Sequence, residues 1–139
     1  MRIPNKMTTA AALAALALAG CGGGGGPDRS DPQSVAKAYM ESFYRCGDAG
    51  PGVRAELAYP ESAAADHRRE VAEDERPGGC QEKQPKEFRT ALVPSREPGI
   101  PAVVEVSNED CGPSEVPMIK ADGRWLVDET EVEPGLICT

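Results

Sequence analysis

Aromatic side chains are scarce in this chain of 139 residues: one Trp, three Tyr and two Phe make up 4% of it. Its core must be small and mainly aliphatic, and a domain of that kind often needs covalent help. Histidine occurs once, at His67, which rules out a histidine-cluster metal centre. Positive charge is short as well: 15 Lys and Arg face 23 Asp and Glu, for a formal charge of −8. Phosphate is repelled by such a chain, so nucleic acid is excluded as a partner. There is no G-x-S-x-G, no phosphate-binding glycine loop and no H-E-x-x-H. The length accommodates one small domain with an appendage, not a multidomain enzyme.

The longest uncharged apolar run is Met7 to Ala19. As a helix it would span about 20 Å, short of a hydrocarbon core of roughly 30 Å. Arg2 and Lys6 precede it and small residues close it, which is the layout of a secretory signal peptide. Its end, Leu18-Ala19-Gly20-Cys21, resembles a bacterial lipobox. That resemblance implies a diacylglyceryl (palmitate-type) modification of the Cys21 thiol and cleavage after Gly20. An ordinary signal peptide cut after Ala17-Leu18-Ala19 is the competing reading. Two acyl chains anchor stably where one is marginal. Loss of Arg2 and Lys6 takes the formal charge from −8 to −10, so an anionic lipid surface would hold the body off. Gly22 to Gly26 continue into Pro27 to Ser30, and residues 21–30 read as a flexible tether with a reach of roughly 17 Å.

With Cys21 taken by lipid, Cys46, Cys80, Cys111 and Cys138 remain. Their spacings of 34, 31 and 27 residues contain no C-x-x-C pair, so neither metal nor any other cofactor is expected, and disulfides are, in an exporting compartment. Four cysteines allow three connectivities.

The body, residues 31–139, opens with Asp31-Pro32, an N-cap followed by Pro at the first helical position. Val35, Ala36, Tyr39, Met40, Phe43 and Tyr44 then recur at helical spacing, with Lys37, Glu41 and Arg45 opposite. Gly47 is the natural stop. Pro51 starts a short helix carrying Val53 and Leu57, and Pro60 breaks it. Residues 62–75 read as a solvated helix poor in apolar positions, with His67 on its surface. After Lys86 the period becomes two. Strands are expected over 87–93, 100–108, 115–121 and 124–132, the third marked by Pro117 as an edge or bulge. Asp122-Gly123 is a hairpin signal. It pairs Lys120 with Trp125 and Met118 with Val127. Glu129, Glu131 and Glu133 project from one face of the last strand, read as its wet side. Helices followed by strands make an α+β fold: N-terminal helices on a curved, four-stranded antiparallel, cone-like sheet. Tyr39, Phe43, Trp125 and Val127 are the candidates for its core or pocket.

In such a meander, Cys111 lies between the second and third strands. Cys138 lies beyond the fourth, which returns the chain to the same end. The topology therefore favours Cys111–Cys138. Cys46 and Cys80 bracket the helical half, which gives Cys46–Cys80.

The opening helix, Pro32 to Phe43, and the closing hairpin, Met118 to Asp128 with its K-x-D-G-x-W-x-V run, resemble small bacterial lipoproteins of the nuclear-transport-factor-two-like superfamily, also called SnoaL-like or cystatin-like. The resemblance implies a helix-lined cone. The superfamily includes enzymes with an acid or base in the cone and many non-catalytic members. No catalytic set matches here residue by residue, so no catalytic residue is assigned. The expected function is a cell-envelope lipoprotein on the extracytoplasmic side of the membrane, held by its lipid anchor. Its disulfide-stabilised domain would bind an envelope protein or a small ligand. The alternative is a small enzyme or small-molecule carrier using the cone as a pocket.

Overall fold

The computed structural model describes residues 26–59, 61–110 and 112–130, without the side chains of 61–63. The fold is α+β. Helix α1 (Pro32–Glu41) starts where Asp31 accepts the Gln33 N–H at 3.0 Å and the Ser34 hydroxyl at 3.1 Å. One carboxylate thereby satisfies an unpaired backbone N–H of the first turn and holds a side-chain hydroxyl beside it, which is why the helix begins there. It buries Val35, Ala36, Tyr39 and Met40 as one stripe. Its end differs from the expectation at Gly47. The coil tightens into a 3-10 turn over Ser42–Tyr44, and the buried Ser42 hydroxyl donates to the Tyr39 carbonyl at 2.5 Å. A hydroxyl that binds the preceding turn competes with regular helix, so α1 stops early.

Helix α2 (Pro51–Leu57) begins with Pro, as its missing N–H allows. The chain turns into it through Gly50, where a Cβ would collide with the Arg45 carbonyl. The two-residue strand β1 (Ala58–Tyr59) and helix α3 (Glu61–Asp74) follow. The rest of the sheet is β2 (Arg89–Val93), β3 (Ala102–Ser107), β4 (Ser114–Ala121) and β5 (Arg124–Asp128). Strand order is β1-β5-β4-β3-β2. Strands β2 to β5 form an antiparallel meander, and β1 adds to β5 in parallel. The sheet is therefore five-stranded and mixed, not four-stranded and antiparallel. Two residues carry no periodicity, so β1 is created by its neighbour rather than by its own sequence.

The Asp122-Gly123 turn takes φ of +51° and +75°, the left-handed pair of a tight hairpin. It sets Ala121 opposite Arg124, Lys120 opposite Trp125 and Met118 opposite Val127. Pro117 lies within a central strand, against the expectation of an edge or bulge. It faces Val103 on β3, but the ladder to β5 begins only at Met118. Its missing N–H thus falls where pairing runs along one side of the strand, which makes it tolerable.

The core lies between α1 and one sheet face. Val104, Val106, Val116, Met118 and Val127 meet Val35, Ala36, Tyr39 and Met40, with Leu57 and Phe88 closing the ends. The body also begins earlier than Asp31. The Asp28 carboxylate holds Ser30 through its N–H and hydroxyl, and the Arg29 carbonyl accepts the Trp125 N–H at 2.8 Å. Arg29 is thus held at β5 by one backbone hydrogen bond.

Candidate functional site

The stripe that buries α1 also carries one polar tip to the end of the sheet. The Tyr39 hydroxyl donates to Glu129 Oε1 at 2.7 Å, just beyond β5. From α3, His67 Nε2 reaches the same oxygen at 2.6 Å. A carboxylate only accepts, so Nε2 carries the proton in this arrangement. One helical turn on, Glu70 Oε2 accepts Arg54 Nη2 at 3.1 Å. Arg54 in turn donates to the Ser42 carbonyl at 3.0 Å and lies 4.4 Å over the Phe43 ring. Phe43 meets Tyr39 edge-on, with ring centres 5.3 Å apart. Two hydrogen-bonded sets, Ser42–Arg54–Glu70 and His67–Glu129–Tyr39, meet on α3, where Glu70 and His67 lie one turn apart, and this polar path ties the three helices to the end of the sheet.

Sequence reasoning misplaced two of these groups. His67 was expected on the surface, yet its side chain is only 13% exposed, and Glu129, expected on the wet face, is 14% exposed. Both sit in polar stretches whose local pattern reads as solvated. Their partnership spans 62 residues and has no local signal. The one available hint was the Tyr39 hydroxyl, a buried donor that needs a partner.

A histidine held by a carboxylate is the geometry of a general base. Here the other ring nitrogen, Nδ1, is buried without a hydrogen bond. Glu70 Oε2 stands 3.6 Å from it, too far for one. A base needs an open nitrogen, and this nitrogen is closed off. The path reads as a polar staple that positions α3 against the sheet. A cleft of about 480 Å³ lies elsewhere, between the start of the described chain at Gly26 and Pro27 and the α1 residues Lys37, Ala38 and Glu41.

Burial pushes the Tyr39 phenol far above its ordinary value near 10, and the Glu129 hydrogen bond and charge push the same way. The folded state therefore keeps this proton at alkaline pH while the unfolded chain releases it. Stability from this group is complete below pH of about 10 and is lost as pH rises beyond it. Tyr39→Phe is expected to cost about 1–2 kcal/mol near neutrality through the lost hydrogen bond. It should also flatten the alkaline loss, as urea melts at about pH 8 and about pH 11 would show. An identical alkaline slope in the variant would refute the assignment.

The remaining expected residues fall into two groups. Tyr39 and Val127 lie inside the core, while Phe43 and Trp125 pack against it half-buried. Lys120 stands 5.5 Å over the Trp125 ring. The Cys46–Cys80 bridge is present, with Cα atoms 5.9 Å apart. Cys21, Cys111 and Cys138, with the expected lipidation and Cys111–Cys138 bridge, lie outside the described residues. Cys46, Cys80 and Asp74 bring one ligand-type atom each within 4.8 Å of one another.

No family model, curated protein or solved structure matches the chain.

Proposed function

We propose that the chain is an exported lipoprotein, anchored through Cys21, whose α+β domain is a non-catalytic binding or accessory module of the cell envelope. The observation that carries this is Leu18-Ala19-Gly20-Cys21 behind a charged leader and a short apolar run. The opening helix over a sheet closed by the Lys120 to Val127 hairpin supports a nuclear-transport-factor-two-like reading of the domain. The polar staple favours a non-catalytic role, because the Tyr39 hydroxyl and His67 Nε2 are both taken up by Glu129, and the Arg54 guanidinium by Ser42 and Glu70.

The enzyme or carrier reading rests on the His67–Glu129–Tyr39 contacts alone. It requires a substrate to reach His67 Nδ1, which is buried.

Cys21→Ser tests the anchor. The wild-type chain should require detergent for extraction from membranes, and the variant should appear in the soluble fraction. An unchanged distribution would remove the lipoprotein reading.

A further inference from the structure

We infer that Cys46, Cys80 and Asp74 form a zinc-type cation site when the disulfide between the two cysteines is reduced. The three side chains come from separate segments. Cys46 lies between the 3-10 turn after α1 and Gly47, Asp74 is the last residue of α3, and Cys80 follows Pro77-Gly78-Gly79. Their ligand atoms lie within 4.8 Å of one another. While the sulfurs are bonded to each other they offer no thiolate, so the site exists only in the reduced chain.

Asp74 is what distinguishes this group from an ordinary disulfide. One of its oxygens accepts the Gly47 N–H at 2.9 Å, which fixes the carboxylate and leaves the second oxygen for a cation. That orienting bond is the kind of support that ligating carboxylates need. Among the described residues, no Lys, Arg or His pairs with Asp74. It also ends a helix of 14 residues, where the dipole disfavours an anion and favours a cation. Two thiolates beside it would bring three negative charges together. A divalent cation relieves that repulsion, as the disulfide does in the oxidised chain.

Two sulfurs and one oxygen suit zinc, with a fourth position left for water, and they do not suit calcium or magnesium. Zinc holds sulfur at about 2.3 Å, so the two sulfurs must separate to roughly 3.8 Å. Cys80 can supply that movement. It is exposed and follows Gly78, whose φ is +73°. The chemistry balances with a dithiol reductant. It gives two electrons and two protons to the disulfide and becomes a disulfide itself. The cation then displaces the two thiol protons, which leave to solvent.

The test uses the full chain carrying Cys21→Ser, Cys111→Ser and Cys138→Ser, so that only one sulfur pair is present. Cobalt(II) is titrated into the oxidised and the dithiol-reduced protein. The thiolate-to-cobalt absorption band and the circular dichroism are followed together. The reduced chain should take up one equivalent with the band, and zinc should displace it. The oxidised chain should take up none. Asp74→Asn should weaken binding about tenfold or more. If the reduced chain unfolds, one equivalent of zinc must restore its folded spectrum. No thiolate band, no refolding by zinc, or unchanged affinity in Asp74→Asn would each overturn the site.

Discussion

Met118→Ala should lower the unfolding free energy by about 2–5 kcal/mol and the melting temperature by about 10 °C or more. Met118 is fully buried at the centre of the sheet. It stands opposite Ala102 on one side and Val127 on the other, beneath the α1 stripe. Its thioether fills space that no neighbour can reach without moving a strand, so truncation leaves a cavity as well as losing apolar burial. Leu92→Ala is the comparison. Register places Leu92 on the same face, opposite Val104, but on the edge strand and 55% exposed. Its loss should fall within about 0.5 kcal/mol. Equal effects of the two substitutions in thermal melts would mean that the core is not where α1 covers the sheet.

Replacing both Cys46 and Cys80 by Ser should cost about 3–4 kcal/mol, the chain-entropy value for a closed loop of about 35 residues. A small domain has only about 5–15 kcal/mol in total, so the loss is a large share. The bridge ties the end of the first helical segment to a stretch with little regular structure. Few other bonds hold that stretch. The Lys83 N–H donates to the Tyr44 carbonyl at 2.9 Å. Glu82 accepts from the Cys46 N–H at 3.3 Å and pairs with Arg45 at 3.8 Å. Surface pairs of that kind contribute little. The double variant should therefore be cut by protease first between residues 75 and 87, before the sheet is exposed. An unchanged melting temperature and an uncut loop would show that the bridge is dispensable.

What could be read in the sequence was what local chemistry decides. Asp31-Pro32 starts α1, because the cap and the missing N–H act within one turn. Asp122-Gly123 fixes the register of β4 and β5, because a two-residue turn leaves no freedom to slip. What escaped depends on distant partners. Arg54 looks like a surface residue of a short polar helix, but it is 7% exposed, bonded to Ser42 and stacked on Phe43. Its position follows from where α1 ends, which no pattern in residues 51–57 reports. His67 and Glu129 are partly buried by each other and by Tyr39. Strand β1 exists only because β5 has an edge beside it. Asp74 belongs to a charge run and gains its place beside the two sulfurs only when α3 packs on α2.

Mass spectrometry of the protein extracted from its native membrane reads the anchor itself. A lipid-anchored domain requires a first residue of Cys21 whose thiol carries diacylglycerol, with Met1 to Gly20 absent. A chain that begins elsewhere, or a Cys21 with an unmodified thiol, would contradict it.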